Sequence, residues 1–468
     1  MRELTSLKKA CVALAFCATT IATSAQTFTT LASFNSTFGN PAPGLVQGFD
    51  GNFYGTALQG VGNCTSVLFQ MTPAGGLTSP FTFAAGDCGA TLLQASNGNF
   101  YGTTYAGGLN AAGSFFELTP TGTFTTLYSF CAESICNDGS VPFGIVQGTD
   151  GNFYGTTALG GANNLGTFFE ISPAGNLATL HSFAAGEALG GTLRLQASDG
   201  NFYGTSYNGN NNGPGAVFRI TLAGQVTSLY NFCAVGNCYD GSNPNSLVQA
   251  TDGNFYGTTF FGGIGSAATC YLGGCGTIFR ITPEGKFKTL HKFNLNDSAA
   301  PNSLLQATDG NLYGTTAGDG EYSRLETGSV FEFKPHSGVL TTLHFFSYID
   351  GSLAQGLMQA TNGSFYGTTR QGGPSLPQVG TVFSVSTGLA PFVETLPNSG
   401  KVGAKVVILG NHLTGTTALS FNGVAARFTV VSDTEIKTQV PAGATTGIVK
   451  AGTPGGTLSS DVAFQVTP

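Results

Sequence analysis

The residues whose types and spacing could do chemistry fall into three sets, and the cysteines are the first. Beyond the N-terminal segment they number eight: Cys64, Cys88, Cys131, Cys136, Cys233, Cys238, Cys270 and Cys275. Three pairs share the spacing C-x4-C, whereas zinc sites more often use C-x2-C with histidine close by, and the five His of this chain are scattered. In an exported chain the pattern predicts local disulfides: Cys131–Cys136, Cys233–Cys238 and Cys270–Cys275, with Cys64–Cys88 by elimination. The second set is acidic. Counting back nine residues from Gln147, Gln196, Gln249, Gln306 and Gln359 gives Asp138, Glu187, Asp240, Asp297 and Asp350. Carboxylates converging on one mouth of a channel would hold Ca²⁺ or a cationic ligand. The competing reading is local, because Asp-Gly-Ser at 138–140, 240–242 and 350–352 makes side-chain-to-backbone turn bonds.

The third set consists of departures from a repeat. Arg194 stands where equivalent segments carry Leu or Ile, and the segment 317–329 concentrates Asp319, Glu321, Tyr322, Arg324 and Glu326 in a chain that is only 9% charged. Acids beside Tyr and Arg could contact a glycan or serve as general acid and base; the alternative is a solvated loop. His181, His291 and His344 alternate with Tyr128 and Tyr230 at one position and read as packing variants. No nucleophile–base pair, phosphate loop or zinc signature stands out. No catalytic residue and no cofactor is therefore assigned, calcium being the one ion the acids would suit.

The elements that position these residues are repeats. DGNFYGTT at 150–157 has near copies starting at Asp50, Asn97, Asp199, Asp252, Asp309 and Asn362, at intervals of 47 to 57 residues. Each unit holds four short segments rich in aromatic and β-branched residues, here named A to D; in the third unit they are 143–149, 152–158, 166–172 and 177–183. Asp-Gly or Asn-Gly between A and B predicts a type I′ hairpin turn, and PAG or PEG between C and D a second tight turn. Four strands per repeat of this length is propeller spacing. A lone D-type strand at 27–34 precedes the first A, and the seventh unit lacks a D strand after 380–386. The spacing predicts a seven-bladed β-propeller closed by its N-terminal strand, because closure removes the free edges. Its A–B and C–D turns would form one face, and its longer B–C and D–A loops, which carry every predicted cysteine pair, the other. The seven Gln from Gln47 to Gln359 would either tie blade to blade or line the channel with amides.

Residues 1–25 carry Arg2, Lys8 and Lys9, an apolar run over 10–22, and small residues before Ala25, the layout of a secretory signal peptide. Bulky Phe16 argues against lipid attachment at Cys17. Removing this segment takes away three of 17 Lys and Arg and one of 24 Asp and Glu, leaving a net charge near −9. Such a balance argues against a nucleic-acid partner, and no later stretch reads as an integral membrane segment. The pattern DGNFYGTT…GTVFxITPxGxxTTLYxF over about 360 residues resembles the GloVer tandem repeat of exported bacterial proteins. It is also similar to the repeats of sensor and streptogramin-lyase propellers. The resemblance implies export and supplies no catalytic residues. From residue 389 the composition changes, and 391–413, 419–441 and 447–468 resemble an IPT/TIG domain, an immunoglobulin-like sandwich.

The expected protein is thus all-β, with a signal peptide at 1–25, a propeller at 26–388 and an IPT/TIG domain at 389–468. It is read as a monomeric, secreted or periplasmic, non-catalytic binder of a glycan or surface protein. A carbohydrate-active lyase or hydrolase and a purely architectural surface protein are the alternatives.

Overall fold

The computed structural model describes residues 26–59, 64–89, 91–187, 191–207, 213–263, 274–294, 296–318, 327–374 and 379–467. The third repeat shows how these sequences fold. Ser140–Gln147, Phe153–Leu159, Thr167–Ile171 and Leu177–Ser182 form an antiparallel sheet in chain order. Gly155 in the second of these strands is required by packing, since a Cβ there would lie 2.5 Å from Cζ of Phe169. Between sheets, aromatic rings interleave, as where Tyr154 meets Phe202 with centroids 4.4 Å apart. Both rings are buried, so each sheet's outward-lying aromatics become the core it shares with the next.

Among the described residues, seven sheets of four or five strands lie between residues 27 and 386. The N-terminal strand Thr27–Ser33 does not pair with its sequence neighbours but with Thr381–Ser386 of the last repeat, Thr27 opposite Ser386 and Ser33 opposite Thr381. A second link follows the same path. In six of the seven sheets the Gln ending the A strand accepts a backbone N–H from the preceding sheet's A–B turn, as Gln196 does from Thr149 at 2.9 Å and Gln249 from Ser198 at 2.9 Å. Gln47 of the first sheet accepts from Thr361 of the last at 2.9 Å. The amides are therefore ties between sheets. The A strands lie against one another, with Asn245 donating to the Pro301 carbonyl at 2.8 Å and Asn302 to that of Ala354 at 2.6 Å.

The expected type I′ turn is corrected. Gln147 pairs with Phe153, Gly148 N–H donates to Asn152 O at 2.7 Å, and Gly151 N–H donates to Gly148 O at 3.0 Å. Only Gly151 in this loop takes a positive φ, +89°. The connection is a longer loop built on a right-handed turn with glycine in the left-handed position that closes it. Asp150 explains the preference. Its Oδ1 accepts Asn152 N–H at 3.1 Å and its Oδ2 accepts the Tyr154 hydroxyl at 2.8 Å. Asp, Gly, Asn and Tyr of the repeated octapeptide are thus one hydrogen-bonded unit.

After residue 386 two four-stranded sheets follow, with a short parallel pair, Ser399–Gly400 and Gln465–Val466, beside them. Glu394–Leu396, Lys405–Leu409, Glu435–Gln439 and Phe428–Val430 form one; Val424–Ala425, Ala418–Phe421, Val449–Thr453 and Gly456–Ser459 form the other. Val406, Ile408, Leu419, Phe421, Ile436 and Val449 fill the space between them. This sandwich rests on the A–B turn side of the repeats. Thr434 Oγ1 donates to the Phe49 carbonyl at 2.6 Å, and Phe392 N–H to the Thr361 carbonyl at 2.9 Å.

Candidate binding faces

The D–A crossovers are built from beneath by their acids. Asp138 is fully buried and accepts the Tyr128 hydroxyl at 2.8 Å, Ala132 N–H at 2.9 Å and Glu133 N–H at 3.2 Å. Asp240 repeats this with Tyr230 at 2.7 Å and the N–H groups of Ala234 at 3.0 Å and Val235 at 3.3 Å. In the other crossovers histidine replaces tyrosine: His181 meets Glu187 at 2.8 Å, His291 meets Asp297 at 2.9 Å and His344 meets Asp350 at 3.0 Å. Burial first, and then the carboxylate, raises the pKa of both Tyr128 and Tyr230, so the hydroxyls stay protonated donors. Burial lowers His344, against the pull of Asp350.

The five acids are consequently not brought together. Among the described residues no group of three His, Cys, Asp or Glu could hold a metal ion. Each carboxylate is already occupied with its own loop, which leaves no converging oxygens for calcium. The His and Tyr positions, read from sequence as packing variants, are the acids' partners. Their offsets carried the signal: six residues from His to acid, and ten from Tyr to acid where a C-x4-C loop intervenes.

Disulfides Cys131–Cys136 and Cys233–Cys238 form as the C-x4-C spacing predicts, and Cys64–Cys88 as elimination does. Cys275 is disulfide-bonded as well, and its expected partner Cys270 lies outside the described residues. Held by their acids, and in two cases by a disulfide as well, the crossover tips project apolar side chains. Ile135, at φ +53°, is 82% exposed, and Ile349 and Tyr348 are 70% and 51% exposed. Tyr207 just past its B strand is 65% exposed, and Leu109 in a B–C loop 93%. Most exposed large apolar side chains of the repeats thus stand on this loop-rich face, where a rigid scaffold presents binding loops.

Arg194 is placed by a β-bulge and does not take the Leu position. Leu193 pairs with Gly204 and Leu195 with Tyr203, so Arg194 is the extra residue, and buried Leu193 fills the apolar seat. A guanidinium in that seat would be a buried unpaired charge; the bulge avoids it. Arg194 Nε donates to Thr205 Oγ1 at 3.2 Å. The side chain is exposed, yet surrounding protein desolvates the guanidinium and pulls it down to about 10. Asp319, Glu321, Tyr322 and Arg324 lie outside the described residues.

The opposite face holds what sequence reasoning missed. Where the sandwich meets the A–B turns of the first two repeats, a cleft of about 330 Å³ is lined by Phe49, Asp50, Gln94 and Asn97 on one side and Glu435 and Lys437 on the other. A wider groove of about 910 Å³ runs on from it along the sandwich.

The Gloeobacter/Verrucomicrobia repeat model matches residues 18–193 and 189–425, and the IPT/TIG domain model residues 392–466. No curated protein matches the chain. Among solved structures, a streptogramin B lyase is 15% identical with a TM-score of 0.54, over 77% of this chain and 97% of its own. A catalytically inactive virginiamycin B lyase from Staphylococcus aureus, solved with quinupristin, is 14% identical with a TM-score of 0.52, over 77% and 99%. At that identity the likeness shows the fold alone. PorZ, a surface component of the type-IX secretion system of Porphyromonas gingivalis, is 13% identical with a TM-score of 0.47, over 91% of this chain and 59% of its own.

Proposed function

The chain belongs to the Gloeobacter/Verrucomicrobia repeat family, and from that premise we propose that it is an exported, non-catalytic binding protein whose loop-rich face holds a glycan or another protein. Residues 1–25 act as the signal peptide, 26–388 as the propeller and 389–468 as the IPT/TIG unit. The sheets close into a seven-bladed ring, a reading supported by the pairing of Thr27–Ser33 with Thr381–Ser386 and by the Gln47 bond to Thr361. A ring that closes on itself within one chain has no free edge to share, which favours a monomer. Four disulfides fit an oxidising compartment, outside the cell or in the periplasm.

The observation that carries the binding role is the row of exposed rings and aliphatic side chains on loops otherwise fixed in place. Stiff presentation lowers the entropy lost on association, and Tyr is a preferred anchor in such contacts. Arg194 contributes charge, joined by Asp319, Glu321, Tyr322 and Arg324 of the sixth B–C loop. A glycan array and a surface-protein pull-down with residues 26–468, each with and without calcium, would identify the ligand. Replacing Tyr207, Tyr348 and Ile349 together by Ala should then weaken binding by about tenfold or more. Undiminished affinity in a folded triple variant would move the site off this face.

A further inference from the structure

The groove along the sandwich is a second site, independent of the loop-rich face. It lies between the outward side of the sheet containing Lys405–Leu409, Phe428–Val430 and Glu435–Gln439 and the second repeat's A–B turn, where Ser96 and Asn97 contribute. Register decides what faces it. Lys405 pairs with Gln439, and Lys437 with Val407 and Thr429, while the alternate residues Val406, Ile408 and Ile436 point into the core. Lys405 and Lys437 are therefore diagonal neighbours on one surface, and Arg427 stands at its margin.

Every charged residue lining this groove is a cation: Lys405, Arg427 and Lys437. The chain as a whole has 17 Lys and Arg against 24 Asp and Glu, so the cluster runs against the protein's own balance. Only Lys437 is paired, to Glu435 at 3.3 Å; Lys405 and Arg427 have no ion pair among the described residues. Three like charges along one concave wall repel each other and raise the local potential. Such a potential is relieved by an anion. Hydroxyl- and amide-bearing groups, Ser96, Asn97, Thr429 and Gln439, alternate with the cations, and Val407, opposite Lys437, and Pro441 add apolar surface.

We propose that this groove binds an acidic polysaccharide, a hydroxyl-rich chain bearing spaced carboxylates. The cations would meet the carboxylates, the amides and hydroxyls the sugar hydroxyls, and Val407 and Pro441 the apolar ring faces. A nucleic acid fits less well. Single strands bind by stacking bases on aromatic rings, and the groove's one aromatic among the described residues, Phe428, packs against the sandwich core.

The test uses residues 26–468 and titration calorimetry with polygalacturonate, neutral dextran, single-stranded DNA and phosphatidylserine vesicles. Polygalacturonate should bind, dextran should not, and DNA and vesicles should bind more weakly. In the variant Lys405→Gln/Arg427→Gln/Lys437→Gln the affinity should fall by about tenfold or more, and the slope of log K against log salt should shrink by about two to three. The charge-preserving variant Lys405→Arg/Arg427→Lys/Lys437→Arg should retain binding, which separates loss of charge from loss of fold. Tyr207→Ala, on the other face, should leave it unchanged. Wild-type affinity in the Gln variant, tighter binding of DNA or vesicles than of polygalacturonate, or no binding of polygalacturonate at all would overturn the proposal.

Discussion

The sandwich contains a pair of carboxyls that should make it less stable as pH rises. Glu394 begins its first strand, and Asp461 N–H donates to the neighbouring Val393 carbonyl at 3.3 Å. Asp461 Oδ1 is buried with no hydrogen-bond partner among the described residues. Burial first, and the Asp461 charge second, push Glu394 up to about 8 from an ordinary 4.5; burial also raises Asp461. A carboxyl raised in the folded state supports stability fully below its unfolded value, and that support is lost as pH climbs toward the folded value. The window is therefore roughly pH 4.5 to 8. Between pH 4 and pH 7 Glu394 alone should cost about 3 kcal/mol, at about 1.36 kcal/mol per unit of differential titration. Hydrogen exchange at Ile408 and Ile436, both buried in the sandwich core, reports the local opening energy within the full chain. Glu394→Gln keeps the shape and removes the titration, so its opening energy should decline less over the same range. The difference between the two proteins reports Glu394 together with its coupling to Asp461, apart from the more distant carboxylates, whose effects are shared. An equal decline in both, or none in the wild type, would refute the reasoning.

Deleting residues 26–33 should free the edge of Thr381–Ser386, which now has six paired positions with that strand, and produce a lower melting temperature with aggregation; an unchanged melting curve would reject closure. Asp150→Ala removes the bonds to Asn152 N–H, Asn152 Nδ2 and Tyr154 and should cost about 1–3 kcal/mol by chemical denaturation, with ligand binding on the loop-rich face intact. Breaking Cys64–Cys88, whose residues are 24 apart, should cost about 3.5 kcal/mol, against about 2 for Cys131–Cys136, 5 apart. Ser pairs replacing each bridge, compared by denaturation, check the order.

The strand order was legible because each repeat combines alternating strands with turn residues at fixed offsets, and the orphan strand pointed to its partner. The turn type was not. Reading Asp-Gly as a two-residue hairpin overlooked Gly148 and Asn152, whose own bond lengthens the loop. Arg194 was recognised as an exception but set in the wrong seat, because one-residue bulges leave no mark in a linear alignment when the flanking residues are both Leu. The docking of the sandwich was beyond local pattern altogether. Phe49 and Thr434, 385 residues apart, meet through a single side-chain hydroxyl, and nothing in either segment's periodicity encodes that contact.

The distribution of charge links these findings. On the loop-rich face Asp138, Glu187, Asp240, Asp297 and Asp350 bond to Tyr, His and backbone N–H groups within their own crossovers, which orders the loops. The large side chains displayed there are apolar, at Ile135, Tyr207, Tyr348 and Ile349. On the other side Asp150 and its equivalents bond within their A–B turns while remaining exposed, and the sandwich adds the cationic cluster of Lys405, Arg427 and Lys437. The crossover tips therefore offer an apolar surface, and the groove a cationic one formed where the sandwich meets the repeats. An anion bound across the groove would touch both domains at once, Ser96 and Asn97 on one side and the lysines on the other. Its affinity would then depend on the Thr434–Phe49 contact that sets their spacing, and Thr434→Val should weaken polygalacturonate binding while leaving the loop-rich face unaffected.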